Sequence, residues 1–320
     1  MNAVALEPVD AVEVTIVVDN FVDILMAGQE GVRRWPTPPD LFEREQLIAE
    51  HGYSALVTVE QDGARSSVLY DGGISRGGLV HNLDVIGPDL ADLRAIVISH
   101  GHADHHGGLE GLFRRRSAAG LALVIHPDAW RERRVVFPTG GEILLPPPSR
   151  ADLEAEGLEV VEERGPTLLV DGRLLVSGQV ARTTGFEIGM PIHQARSDGG
   201  WKPDPRIEDD QNVVANVRGL GLVVVSACSH AGAVNVLRHA RAITGVEAVA
   251  GFVGGLHLTG GLFESIIEPT AAAFAELGVA RVVPGHCTGW RAVHRLERVV
   301  PDAFVQPSVG TVVRFETLAR

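Results

Sequence analysis

The stretch that decides the fold is Ser99-His100-Gly101-His102-Ala103-Asp104-His105-His106-Gly107-Gly108, in which four histidines and one aspartate occupy seven positions. It follows an apolar run at 95–98, whose isoleucine and valine content is typical of a strand buried on both faces. Beyond it, Leu109, Leu112 and Phe113 recur at helical spacing. The pattern predicts a turn between a strand and a helix, with imidazole and carboxylate groups gathered at the strand end.

The side chains of this turn favour a metal site. Gly101 and Ala103 leave room for the chain to turn, and the imidazole and carboxylate ligands suit zinc, and also iron or manganese. We therefore expect one or two Zn²⁺ ions, with iron or manganese as alternatives. A polar loop that caps a helix is the competing interpretation. It explains a single histidine better than it explains the repeated His-x-His-x-Asp-His spacing.

The composition is that of a soluble enzyme with a large core. Hydrophobic residues make up 45% of the 320 residues, and layered α/β architectures accommodate this length as one domain. We expect a single domain over residues 1–320, with two pseudo-halves at about 1–165 and 166–320. Acidic side chains outnumber basic ones by 41 to 28, and the formal net charge of −13 argues against nucleic acid as a partner.

The sequence predicts a cytoplasmic protein that acts on a small molecule. Residues 1–14 carry acidic side chains instead of the basic and apolar regions of a secretory signal. The least charged stretch, 248–263, is too short and too interrupted by glycine to span a membrane. The two cysteines, Cys228 and Cys287, fit a reducing compartment. The sequence leaves a homo-oligomer open.

The first half reads as strands joined by turns. Residues 14–18 predict a first strand, and a hairpin over 54–59 and 66–70 is expected to turn at Gln61-Asp62-Gly63. Further expectations are a charged surface excursion over 23–50, a short helical turn beginning at 89–92, a strand at 121–125, and an antiparallel series at 141–145, 158–162 and 168–176.

In the second half, apolar strands repeatedly end at a histidine. The expected strands and their histidines are a hairpin over 213–217 and 222–226 before His230, a strand at 248–253 before His257, and a strand at 280–283 before His286. The segment 189–211 has the composition of a long polar loop. Because ligands bind where strand ends meet at one sheet edge, these histidines are expected to converge on one site.

These motifs resemble the metallo-β-lactamase-fold superfamily over nearly the whole chain. The resemblance lies in the segment from His100 to His105, in Asp71-Gly72-Gly73, and in Pro284-Gly285-His286. The narrower resemblance is to its ribofuranosylaminobenzene phosphate dihydropterin synthase-like branch. Besides the loop from Ser99 to His105, the segments that carry it are Asp19-Asn20, Glu50-His51-Gly52, Cys228-Ser229-His230-Ala231-Gly232, Gly254-Gly255-Leu256-His257 and Pro284-Gly285-His286-Cys287-Thr288-Gly289.

The resemblance implies an α/β (α+β) fold, a four-layer αββα sandwich with a metal centre at its edge. It also implies two metal positions. The residues implied for the first are His100, His102 and a third ligand, and those for the second are Asp104, His105 and His286.

The third ligand is where this chain departs from the superfamily's usual order, a histidine before the second-half hairpin and an aspartate after it. Here Asp210 stands before the hairpin and His230 after it. We favour His230 as the ligand. Asn20, Asp71, Asp210 and His257 are expected to support the ligands or contact the substrate, with Asp210 and His257 also open as ligands.

Three functions fit such a centre. The first is hydrolysis of a small ester, lactone, thioester or phosphoester by metal-activated water, with Asp104 and His230 as catalytic candidates. The second is a pterin-related synthase that condenses a dihydropterin with a ribofuranosylaminobenzene phosphate. The third is a metal-binding sensor without turnover, which the completeness of the ligand set disfavours.

Overall fold

The structure is a computed structural model that describes residues 3–317. Its strands, in chain order, are β1 (Pro8–Val9), β2 (Ala11–Val18), β3 (Val32–Arg33), β4 (Ser54–Gln61), β5 (Ala64–Tyr70), β6 (Leu93–Val97), β7 (Ala122–Ile125), β8 (Arg133–Val136), β9 (Glu142–Leu145), β10 (Glu159–Glu162), β11 (Thr167–Leu169), β12 (Leu174–Val176), β13 (His193–Ser197), β14 (Gly200–Pro203), β15 (Val213–Val217), β16 (Gly221–Ser226), β17 (Val249–Gly255), β18 (Val282–Gly285) and β19 (Val312–Glu316). Its α-helices are α1 (Gly78–Ile86), α2 (Ala103–His106), α3 (Leu109–Arg115), α4 (Arg150–Ala155), α5 (Ala233–Thr244), α6 (Ile267–Glu276) and α7 (Trp290–Val299).

The strands form two large sheets and one small one. The first large sheet has the order β10-β7-β6-β5-β4-β2-β19-β3, and the second has the order β11-β12-β15-β16-β17-β18, with β1 beside β15. The small sheet has the order β14-β13-β8-β9. Each half of the chain therefore lends a strand to the other half's sheet: β1 comes from the N-terminal side and β19 from the C-terminal side.

The two large sheets face each other, and helices cover their outer faces. Alternation along β6 shows why: Ala95 and Val97 pack into the core between the sheets, while Ile96 and Ile98 pack beneath α1 and α3. On the other side, α5, α6 and α7 cover the outer face of the second sheet, where Phe252 is fully buried. This arrangement is the predicted four-layer αββα sandwich, and β6 is buried on both faces as predicted.

The predicted hairpin is present, and its turn lies at the expected Asp-Gly pair. Asp62 and Gly63 both adopt positive φ, at 53° and 78°, and connect β4 to β5 as a tight hairpin. In contrast, residues 89–92 do not begin a helix, because the Asp89 carboxylate accepts the backbone N–H of Ala91 and forms a turn. The helix in this region is α1, which lies earlier and ends at Gly87.

Two further local predictions are wrong. The series at 141–145, 158–162 and 168–176 is not one antiparallel run, since β9 joins the small sheet, β10 pairs parallel with β7, and β11 and β12 form a hairpin in the second sheet. The segment 189–211 is not all loop either. It contains β13 and β14, and pairing of β13 with β8 draws the segment towards the centre of the molecule.

Within residues 3–317, no helix is both long enough and apolar enough to cross a membrane.

Candidate metal centre

The first side of the site is the histidine loop, residues 99–105, which leaves the end of β6. Asp71 holds this loop from the end of β5. Its carboxylate accepts the Ser99 N–H at 2.7 Å and the Ser99 hydroxyl at 2.6 Å, and lies 2.7 Å from His105 Nδ1. Asp71 is fully buried, so these contacts are not diluted by water. The carboxylate therefore fixes both the loop and the orientation of the His105 ring.

A buried ion pair between Arg133 and Asp209 also holds the histidine loop in place. The fully buried Arg133 guanidinium forms two hydrogen bonds to Asp209, at 2.6 and 3.0 Å, and Asp209 also accepts the Gly101 N–H at 2.8 Å. A Cβ at Gly101 would overlap the Ala129 carbonyl oxygen and approach Arg133. Glycine is therefore required at this position for the loop to approach its support.

The second side is the strand-end wall, which consists of residues 228–232, 254–257 and 284–288 at the carboxyl ends of β16, β17 and β18. These three strands run parallel and are neighbours in the sheet, so their carboxyl ends meet at one edge. The wall brings His230, His257 and His286 to the histidine loop. This is the convergence of strand ends that the sequence predicts.

Ring nitrogens meet at the centre of the site. His100 Nε2 lies 2.9 Å from His102 Nδ1 and 3.1 Å from His230 Nε2. His102 Nε2 lies 3.0 Å from Nε2 of His193, a buried side chain at the start of β13. The structure thus brings the predicted residues His100, His102 and His230 together and adds His193 to them.

A second group surrounds Asp104. Its Oδ2 lies 3.5 Å from His105 Nε2, 3.4 Å from His286 Nε2 and 3.7 Å from Nε2 of the exposed His51. Asp104 retains 19% side-chain exposure, whereas His105 and His286 have none. The predicted residues Asp104, His105 and His286 therefore lie together beneath an opening to solvent.

The two cysteines lie between these groups. Cys228 Sγ is 3.5 Å from His105 Nε2, 3.9 Å from His257 Nδ1 and 3.3 Å from Cys287 Sγ. A Cβ at Gly255 would approach Cys287 Sγ to 2.7 Å, so the absence of a side chain there leaves room for the thiol. Both cysteines thus belong to the site, although a packing role is the commoner one for buried cysteine.

The electrostatic environment separates the histidines into two kinds. Burial, reinforced by the neighbouring imidazoles, lowers the pKa of His100, His102 and His230 well below the ordinary value. These rings are therefore neutral at pH 7, with a nitrogen lone pair free for a metal ion.

Around Asp104, the carboxylates determine the direction in which the pKa of His105 is shifted. Burial opposes charge, but the Asp104 and Asp71 carboxylates outweigh it and raise the pKa of His105 well above the ordinary value. Burial would also raise the pKa of Asp104, yet His105 and His286 hold that pKa well below the usual range. Asp104 is therefore ionised at neutral pH.

The residues predicted to support the centre occupy its surroundings. The Asn20 amide donates to the His286 carbonyl at 2.9 Å, and Asp210 accepts the Ala231 N–H at 2.9 Å. Burial raises the pKa of Asp210 to about 6. The ring of His257 packs against that of His230, with centroids 4.3 Å apart. Asp210 thus positions the backbone that carries His230.

The donor set fits a transition-metal ion. Within residues 3–317, neither ring nitrogen of the buried His286 makes a well-formed hydrogen bond, and Asp104 Oδ2 lies 3.4 Å from Nε2. Three groups bring their potential ligand atoms within 4.8 Å of one another: His100 with Cys228 and His230, His105 with Cys228 and His286, and Cys228 with His257 and Cys287. Imidazole nitrogen, carboxylate oxygen and thiolate sulfur are the ligands that zinc takes in proteins. The identity of the metal and the role of each ligand stay predictions.

The sequence around His193 does not mark this residue as part of the centre. Its segment, 189–211, has the composition of a polar loop. The pairing of His193 with Val135 in the small sheet turns its ring towards His102. The bond from His193 Nδ1 to the Asp204 carbonyl, at 2.9 Å, holds that orientation. Only the long-range strand pairing reveals this placement.

The chain belongs to the metallo-beta-lactamase superfamily. The model of that family, described as "Metallo-beta-lactamase superfamily", matches residues 49–241, which is more than half of the sequence. The match includes the histidine loop and His230. The superfamily is a class of metal-dependent enzymes whose fold usually binds metal ions.

Individual relatives extend this likeness along the chain. A 7,8-dihydropterin-6-methyl-4-(beta-D-ribofuranosyl)-aminobenzene-5'-phosphate synthase of Methanocaldococcus jannaschii is 28% identical over 273 residues, covering 83% of this chain and 90% of that protein. The crystal structure of Tm1679, described as a metal-dependent hydrolase of the beta-lactamase superfamily, has a TM-score of 0.70 and 26% identity, covering 96% of this chain and 99% of that one. The metallo-beta-lactamase fold protein YhfI from Bacillus subtilis has a TM-score of 0.53 and 12% identity, covering 96% and 100% of the two chains, and shows the fold alone.

Proposed function

We propose that this chain is a metal-dependent hydrolase of a small ester, lactone, thioester or phosphoester. The observation that carries the proposal is the partly exposed Asp104 carboxylate, which stands beside buried imidazoles at the opening of the centre. A zinc ion or a similar ion bound there would supply a Lewis acid and would lower the pKa of bound water to about 7.

The chain's own groups orient the reactants. Asp104 stays ionised at neutral pH, so its free lone pairs accept a hydrogen bond from water and aim the oxygen of that water at the substrate. His230 is neutral and borders a cavity next to the centre, where it positions the reacting part of the substrate. Similarity to Tm1679, described as a metal-dependent hydrolase, supports the same reaction class.

Turnover assays test this proposal. Protein loaded with zinc, iron or manganese is incubated with a panel of esters, lactones, thioesters and phosphoesters. We expect hydrolysis of at least one class, and a loss of about 100-fold or more in kcat/KM for Asp104→Asn, which keeps the size of the side chain and removes its charge. The exposed Asp198 provides a control, because Asp198→Asn makes the same change in a carboxylate that pairs with Lys202 and not with a histidine of the centre. Metal-loaded protein that is inert on the whole panel would overturn the proposal.

A synthase is the second candidate. The observation that favours it is the similarity to the Methanocaldococcus jannaschii synthase, which extends over 90% of that protein. Incubation with a ribofuranosylaminobenzene phosphate and an activated dihydropterin, followed by mass spectrometry, separates the two candidates. A coupled product supports the synthase, whereas breakdown of the activated reactant without coupling supports the hydrolase.

A further inference from the structure

We propose that a cavity beside His230 binds an uncharged apolar group of the substrate, about the size of a phenyl ring. This inference rests on the proposed hydrolase function and narrows its substrate class. The cavity has a volume of about 150 Å³. Its apolar wall consists of Phe186, Ile188, Leu256, Leu262, Phe263 and Ile266.

The cavity borders the candidate metal centre through shared side chains. His230 and His257 line one end, and His230 Nε2 lies 3.1 Å from His100 Nε2. The Phe263 ring stands edge-on to His257, with centroids 4.5 Å apart. A group bound against Phe263 therefore places the rest of the molecule at the centre.

The one carboxylate on the cavity wall is already committed to the fold. Glu187 accepts the N–H groups of Val234 and Asn235, both at 2.9 Å, at the beginning of α5. It also accepts the Thr184 hydroxyl at 2.9 Å. These bonds use the carboxylate oxygens for the helix N-terminus, so Glu187 offers little to a polar ligand.

The described residues give the wall no permanently charged cation. Among the residues that line the cavity in the described chain, none is lysine or arginine. Phosphate and carboxylate groups are normally recognised by such cations or by free backbone N–H groups. The cavity thus favours an apolar group and disfavours a phosphorylated one. Its volume matches that of a dry apolar cavity known to hold benzene.

Three esters of similar intrinsic reactivity measure this preference. Methyl acetate has no phenyl group, benzyl acetate carries one on the alcohol side, and methyl phenylacetate carries one on the acyl side. We expect kcat/KM for one of the phenyl-bearing esters to exceed that for methyl acetate by about tenfold or more, since burial of several apolar carbons is favourable. Benzyl acetate with a para-carboxylate has nearly the same shape, and we expect it to lose this advantage.

Two variants show whether the cavity is the cause. Ile188→Ala removes an exposed wall residue, and Phe263→Ala removes the ring beside His257. Both are expected to reduce the phenyl preference several-fold while bound metal per chain stays unchanged. Phe42→Ala is the matched control, because Phe42 is 90% exposed and outside the cavity lining. It should leave the preference intact.

The outcomes test the cavity assignment and the hydrolase function separately. Hydrolysis without phenyl preference, or with a preference that neither wall variant changes, overturns the cavity assignment and leaves the hydrolase in place. If no ester is hydrolysed, saturation-transfer NMR with benzyl alcohol tests the cavity alone. Binding that Phe263→Ala and Ile188→Ala weaken supports the cavity, whereas absent or unchanged binding overturns it.

Discussion

The two sides of the candidate metal centre are built in different ways. The histidine loop is one contiguous segment, pinned by Asp71 from one side and by the pair of Arg133 and Asp209 from the other. The strand-end wall gathers side chains from three parallel strands. Among the described residues, its His286 ring makes no well-formed hydrogen bond, although the Asp104 carboxylate lies 3.4 Å from Nε2. Hydrogen bonds within the protein thus hold the loop in place, whereas the His286 ring of the wall is in a position to bind a further ligand.

This difference indicates which groups contribute to folding stability and which contribute to metal binding. Hydrogen bonds behind the loop should contribute mainly to folding, because they are buried and already complete. Donor atoms of both sides that face the centre should contribute mainly to metal affinity. Variants on either side test whether effects on stability and effects on metal affinity are separate.

The largest effect is expected from His102→Ala in the histidine loop. The variant should lose most of its bound metal and its activity, while circular dichroism shows an intact fold, because the ring contacts other rings at the centre. The matched control is His106→Ala. His106 directly follows the histidine loop, but its ring contacts the Pro146 carbonyl instead of the centre. Wild-type metal content in His102→Ala would show that this loop is not the metal site.

Removal of the loop support should affect stability next most strongly. Asp209→Ala leaves the fully buried Arg133 without its main partner, which costs about 3–5 kcal/mol for such a pair. Urea unfolding measures this free energy. Asp198→Ala breaks the exposed pair with Lys202 and should change stability by about 1 kcal/mol or less. Equal effects of the two variants would contradict a structural role for the buried pair.

The pH dependence of stability tests Asp210 behind the wall. The unfolded chain releases this proton near its ordinary pKa of 3.8, whereas burial raises the folded pKa to about 6. The folded state thus holds more protons between these values, so the metal-free wild type loses stability as pH rises from 4 to 7. Raising the pKa of this carboxyl from 3.8 to about 6 corresponds to a loss of about 3 kcal/mol in the free energy of unfolding over this pH range. Asp210→Asn should lack this part of the pH dependence in urea unfolding, and identical slopes would contradict it.

The smallest expected effect is the difference in metal affinity between variants of the two cysteines in the wall. Cys228 belongs to all three potential ligand groups, whereas Cys287 belongs to one. Cys228→Ser is expected to weaken metal affinity by about 10–100-fold, and Cys287→Ser by less. Cobalt-loaded protein provides the readout, through the thiolate-to-metal charge-transfer absorption. Loss of that absorption only in Cys287→Ser would reverse the roles of the two thiols.

The sequence was most informative where ligands are close together in the chain. The spacing from His100 to His105 and the apolar residues before it indicate the metal loop and the buried strand, because both patterns are local. His230 and His286 were found because each follows an apolar strand, a pattern that is also local.

The side-chain contacts that the sequence does not predict depend on pairing between distant segments. His193 reaches His102 only because β13 pairs with β8, and Arg133 reaches Asp209 across a similar separation in the chain. Cys228 and Cys287 lie 3.3 Å apart although 59 positions separate them. The apolar cavity likewise combines segments whose composition, taken one at a time, is ordinary.

The most direct test of the account is an anomalous-scattering experiment on crystals of metal-loaded protein, with elemental analysis of the same sample. We expect at least one bound ion per chain, with its anomalous peak between the histidine loop and the strand-end wall. The peak should lie within bonding distance of His100, His102 or His105 and of a side chain from the wall. Protein that binds no metal after loading, or a peak that contacts neither side, would contradict it.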